Sequence, residues 1–202
     1  MGPLFNKSIL SSGFLIAAFA LSACQGPRSL NTSYYLLTAQ SPRAEAPMRE
    51  TVIGVGPVRV APFLDRPQII IHSGGGETEV SDGQRWAEPL DRGIQRVLVQ
   101  NLAGLTGADM RNFPWTRTTV PEYAVRIDIL DFNRTADGNA VLEAHWILED
   151  VKEKQLLYSR KETFQTVVDG PQDDHAALAS AYSELINQLA LSIAAQVPPH
   201  GE

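Results

Sequence analysis

Apolar positions recur along this chain with two periods, and the switches between them mark out its elements. Residues 34–38 and 51–60 are rich in β-branched and aromatic side chains with few charges, the composition of strands. Gly54 and Pro57 inside the second run predict a bulge or an edge, because glycine weakens a strand interior and proline cannot donate to the ladder. Residues 68–72 form a short β-branched run, joined through Gly74-Gly75-Gly76 to residues 77–81 in a hairpin pattern. The period then changes. Leu90, Ile94, Val97, Leu98, Leu102 and Leu105 fall at steps of three and four, which predicts an amphipathic helix with Pro89 in its first turn and Gly107 as its stop.

Three longer strands follow. Tyr123, Val125, Ile127 and Ile129 alternate with Ala124, Arg126, Asp128 and Leu130; Asp137-Gly138 supplies a turn; Leu142, Ala144, Trp146 and Leu148 alternate with Glu143, His145, Ile147 and Glu149. Residues 156–168 make the third, after a charged turn, and together they read as a meander. Asp173 or Asp174 then caps a second helix with Leu178, Tyr182, Leu185, Ile186, Leu189 and Ile193 on one face, ended by Pro198-Pro199. The order is β, β, β, β, α, β, β, β, α. Strands in runs predict an α+β fold, a mainly antiparallel sheet with two amphipathic helices packed on one face. They disfavour a parallel nucleotide-binding sheet, in which strands and helices alternate.

The first 23 residues obey neither period. Lys7 is the only charge before Arg28, and the apolar run over residues 9–20 is shorter than the roughly 20 residues a bilayer core requires. It stops at Leu21-Ser22-Ala23-Cys24, small residues before a cysteine, the form of a lipobox. Cys24 is the only cysteine, so no intramolecular disulfide competes for its thiol in an oxidising compartment. These features predict a lipoprotein signal peptide over 1–23, lipid on Cys24, a polar tether over 24–33, one periplasmic domain over 34–197 and a tail over 198–202. Two or three acyl chains such as palmitate, each contributing about 0.8 kcal/mol per buried methylene, anchor the chain permanently to a membrane.

Cleavage removes Lys7 and no acid, so 17 basic side chains become 16 against 23 acidic ones, a formal charge of −7. With no basic stripe to neutralise phosphates, nucleic acid is not an expected partner, and no polybasic cluster presses the domain onto anionic lipid. Signals of chemistry are equally sparse. The glycines at 74–76 lack the following Lys-Ser/Thr and helix of a phosphate loop. His72, His145, His175 and His200 are scattered without metal-ligand spacing, and His145 shares the polar side of its strand with Glu143 and Glu149. The mature chain has no G-x-S-x-G elbow. Asp128 and Asp131, at odd spacing, point to opposite faces of a regular strand. The expectation is a protein that is not an enzyme and takes no cofactor and no metal.

Three segments carry a family resemblance. Ser33-Tyr34-Tyr35-Leu36-Leu37, then Val52-Ile53-Gly54-Val55-Gly56-Pro57-Val58 running into Phe63-Leu64-Asp65-Arg66-Pro67-Gln68-Ile69, then Arg85-Trp86-Ala87-Glu88-Pro89-Leu90 are similar to PqiC-type lipoproteins. These are auxiliary lipoprotein subunits of ABC-type, MCE-domain intermembrane transport systems. The resemblance covers most of residues 24–196, in the last three strands by pattern only. It implies an outer-membrane lipoprotein that meets a membrane-spanning MCE-domain protein, helps move lipid between the two membranes and supports envelope integrity. It leaves a homo-oligomer open and brings no catalytic residues. Gln25, beside the anchor, is not the aspartate that commonly retains lipoproteins in the inner membrane, which agrees with the outer-membrane side.

Six side chains are candidates for partner binding. Phe63, Leu64, Asp65 and Arg66 combine apolar bulk with a charge pair between Pro62 and Pro67, and Arg85-Trp86 has the composition of an interface hot spot. Structural readings stand beside these: a turn that closes the core, and a Trp86 stapled over the helix entry. Two functional alternatives also stand, an adaptor or regulator of another envelope assembly and a lipid carrier. A carrier needs an apolar cavity, an adaptor a filled core with an apolar patch outside.

Overall fold

The computed structural model describes residues 32–40, 49–74, 77–171 and 173–198. The signal peptide, Cys24, the tether as far as residue 31 and the tail beyond residue 198 lie outside the described residues, as do Gly75 and Gly76. Among those described, the elements are β1 Ser33–Tyr35, β2 Arg49–Val60, β3 Gln68–Gly74, β4 Glu77–Trp86, α1 Leu90–Thr106, β5 Ala108–Asn112, β6 Tyr123–Arg134, β7 Asn139–Asp150, β8 Gln155–Val167 and α2 His175–Ala194.

The strands make two sheets, ordered β5-β2-β6-β7-β8 and β1-β4-β3. β6, β7 and β8 form the expected antiparallel meander, and β3 and β4 the expected hairpin. The α+β class holds, but both sheets are mixed. β2 runs parallel to β5 and to β6, and β1 runs parallel to β4. A period of two tells which face a side chain takes and is silent on the direction of the neighbour. β5, with the sequence Ala-Asp-Met-Arg-Asn, is too short and polar to show a period, and it is the strand the sequence does not announce. β2 does carry the expected bulge, between Val55 and Val58. It is not an edge, since β5 and β6 flank it.

Both helices lie on the same face of the five-stranded sheet, α1 over β2 and β5, α2 over β7 and β8, and they touch each other. The predicted stripes are what they bury. Ile94, Val97, Leu98 and Leu102 from α1 and Leu178, Tyr182, Leu185 and Leu189 from α2 meet Ile53, Val125, Ile127, Leu142, Trp146 and Leu148 of the sheet. Each such side chain contributes about 1.5–3 kcal/mol by leaving water. Gly107 ends α1 in the left-handed region, φ 66°, with its N–H donating to the Ala103 carbonyl at 3.0 Å. Of the two candidate caps for α2 the chain uses Asp174, whose carboxylate accepts from the Ala176 and Ala177 N–H groups at 3.0 and 2.9 Å.

The opposite face of that sheet is wet and charged. Arg59, Asp128, His145 and Lys161 stand in one row across β2, β6, β7 and β8, with Arg59 paired to Asp128 at 2.8 Å. Arg126 pairs with Glu149 at 3.1 Å, and Lys161 pairs with Glu143. Exposed pairs of this kind contribute about 0.2–1 kcal/mol each, so their main effect is to favour one register over others.

After β1, residues 36–40 are irregular backbone, and side chains of the two helices replace the missing ladder. Arg96 donates to the Leu37 carbonyl at 2.8 Å, the Thr38 N–H donates to Ser183 Oγ at 3.0 Å, and the Gln40 N–H donates to Asn101 Oδ1 at 3.1 Å. Leu37 itself is buried.

Candidate functional site

The candidate residues divide by burial. Leu64 is 2% exposed and Trp86 is 7% exposed, so both belong to the core and neither offers a partner a free face. Trp86 sits 5.9 Å from the Tyr182 ring and 6.3 Å from Phe132, which in turn stacks on Tyr182 at 4.3 Å. These aromatics join the small sheet to α2 and the end of β6. Arg85 is half-buried on β4, while Phe63 at 39% exposure, Asp65 and Arg66 project from the connection after β2. That connection is anchored by its neighbours: the Ala61 N–H donates to the Ile129 carbonyl at 2.9 Å and the Leu64 N–H to the Ala61 carbonyl at 2.8 Å. Buried Leu64 therefore holds the exposed Phe63, Asp65 and Arg66 in place.

Within the aromatic cluster the residual cavity is about 10 Å³, the lower limit for one water molecule. Tyr182 reaches this region fully buried, with no hydrogen-bond partner for its hydroxyl among the described residues. Burial, reinforced by the Asp131 carboxylate and opposed by Arg134, pushes its hydroxyl far above the ordinary tyrosine value.

The glycines of the Val52–Val58 segment have a steric purpose. A Cβ on Gly54 would run into the Trp115 ring and lie 2.6 Å from Pro121 Cγ. Gly56, at φ 118°, leaves room for Phe113 and for the Gln95 amide, which donates to the Val55 carbonyl at 2.8 Å and the Phe113 carbonyl at 3.3 Å. The loop between β5 and β6 is thereby pressed onto β2. Trp115 is further held by its indole N–H, which donates to the Arg111 carbonyl at 3.3 Å, and by an edge-to-face contact with Phe113 at 5.2 Å.

That loop forms one wall of a groove of about 640 Å³ on the face away from the helices. Ala124 is its floor, Trp115, Val120 and Leu156 its apolar walls, and Arg117, Arg126, Lys154, Glu149 and Asp150 its charges. The sequence reading did not include this groove. Its signal was a tryptophan and two prolines in the stretch 113–121, which has no period and is longer than a strand-to-strand connection requires.

Side chains considered for chemistry fall elsewhere. His145 lies on the polar face as expected, with Nε2 3.0 Å from Ser159 Oγ and Nδ1 4.0 Å from Asp128. The alternation that would place Asp128 and Asp131 on opposite faces is broken by a bulge between Ile129 and Asp131, and Asp131 accepts from the Phe132 N–H at 2.8 Å. Among the described residues no three His, Cys, Asp or Glu side chains converge to hold a metal, and no helix is long and apolar enough to cross a membrane.

The described residues make an α+β domain with a packed core and an open groove outside it. Residues 35–194 match the family of ABC-type transport auxiliary lipoprotein components, and the chain belongs to that family. It is similar to the intermembrane transport lipoprotein PqiC of Escherichia coli (strain K12) and to that of Shigella flexneri. Each is 23% identical over 189 residues, which cover 90% of this chain and 94% of the relative. The fold is shared with an uncharacterised protein of known structure, TM-score 0.69 at 20% identity, covering 83% of this chain and 99% of the other. It is shared also with a protein from Xanthomonas campestris, TM-score 0.67 at 20% identity, covering 81% and 93%. The relatives carry transport names and not enzyme names, and the family makes this a membrane-anchored envelope protein that serves a multi-component transport system.

Proposed function

We propose that this chain is the non-catalytic outer-membrane lipoprotein of an MCE-domain transport system, lipidated on Cys24, and that it acts as an adaptor in moving lipid between the inner and outer membranes. The observation that carries the adaptor reading is the close packing of the aromatic cluster where the small sheet meets the second helix. Where sheet and helices meet, Leu98, Leu102, Trp146, Tyr182 and Leu178 interdigitate and the aromatic cluster leaves about 10 Å³, far below the 300 Å³ or more of a typical ligand site. Exposed Phe63, Asp65 and Arg66 are the partner-facing side chains of this reading, with Arg85 beside them and with buried Leu64 and Trp86 as their supports.

The test is recovery of the MCE-domain membrane protein with the lipidated chain from cross-linked envelopes. Phe63→Ala combined with Arg66→Glu is expected to cut recovery while leaving the urea midpoint of the domain nearly unchanged, since truncating an exposed anchor costs binding and not folding. Failure to recover any MCE-domain protein with the unsubstituted chain would return the assignment to a regulator of another envelope assembly.

A further inference from the structure

We propose that the groove between Trp115, Val120 and Leu156 docks an extended segment of a partner protein that carries both acidic and apolar side chains. The walls supply the apolar part. Val120 is 55% exposed and Leu156 56%, unusual for such residues beside an indole that is itself pinned in place. The charges supply the sign. Glu149 is paired with Arg126 at 3.1 Å, and Arg117 and Lys154 form no ion pair with any described residue, so that with the Asp150 carboxylate the lining holds three cations against two carboxylates. This small excess of positive charge, in a chain of net charge −6, complements an acidic ligand.

The form of the groove favours a polypeptide over a lipid headgroup. Arg117 comes from the loop seated on β2 and Lys154 from the turn between β7 and β8, so the two cations sit on different walls and suit charges spaced along an extended ligand. β8 starts at the rim with Gln155 and Leu156 and is the outermost strand of its sheet, which leaves main-chain groups on its free side for an added strand.

A photo-cross-linking amino acid at Val120, in the full-length lipidated chain in intact cells, tests this. Mass spectrometry of the product is expected to show a protein segment rich in Asp or Glu and apolar residues. Its yield should fall roughly fivefold or more with Arg117→Glu plus Lys154→Glu, and should be unaffected by Arg59→Glu on the same face outside the groove. Reversing the acids of the captured segment to Lys should restore the product in the doubly reversed variant. Cross-links to phospholipid, to a second copy of this chain or to a basic segment, a yield indifferent to the charge reversal, or no product at all would each overturn the proposal. Capture from a protein other than an MCE-domain subunit would support the groove and count only against the transport assignment above.

Discussion

At Gly54 a missing side chain decides where a tryptophan goes. An alanine there would force Trp115 and Pro121 off β2, so Gly54→Ala is expected to cost about 1–3 kcal/mol, read as a lower urea midpoint. The penalty should shrink when Trp115 is also truncated, because the clash is a pairwise one. Tyr182 gives a second prediction, in pH. Its folded-state pKa is raised above the ordinary value of 10.0, chiefly by burial, so the folded protein keeps the proton while the unfolded chain releases it above about pH 10. Stability from this group is therefore full below pH 10 and is lost as the pH rises further. Tyr182→Phe should stay within about 1 kcal/mol of the parent at pH 7, its hydroxyl having no partner among the described residues, and should gain on the parent by up to about 1.4 kcal/mol per pH unit above 10. A difference between the two urea midpoints that is the same at pH 11 as at pH 7 would refute it. Legibility at this scale was uneven. The stripe that buried Tyr182 was plain in the sequence, but Trp86 looked the same as an interface anchor or a core residue, because composition does not record which face a strand end presents.

Among the elements, the helices and the meander could be read from the chain because their periods run for ten residues or more. β5 could not, and the run read as a strand over 34–38 ends in the structure at Tyr35, because the order of residues 36–40 comes from Arg96, Asn101 and Ser183, far away in sequence. This dependence is testable by hydrogen exchange. Ser183→Ala removes the acceptor of the Thr38 N–H, so that amide should exchange much faster while amides of β7 keep their protection. Uniform acceleration across the domain would mean that the serine supports the fold globally instead of latching one segment. The groove was illegible for a related reason. Gly54 on β2 and Trp115 after β5 become neighbours only because β2 runs parallel to β5, and no alternation encodes that direction.

For the molecule as a whole, the proposed anchor on Cys24 and the domain are expected to make separable contributions. Cys24→Ser should give an unacylated chain that no longer floats with membranes yet unfolds at the same urea midpoint. Flotation and palmitate labelling retained by that variant would remove Cys24 from the anchor role. What the sequence conveyed at this scale was the acidic, single-cysteine chain and its α+β class; what it withheld was the division into two sheets. The latching of residues 36–40 has a mechanical consequence. β1 lies alongside β4, so tension arriving from the N-terminal side shears that ladder along its length and then strains the Arg96, Asn101 and Ser183 contacts. A pull applied at Ser33 would therefore load the β1–β4 ladder in shear and the contacts to both helices in series, a different geometry from peeling a terminal strand away one bond at a time.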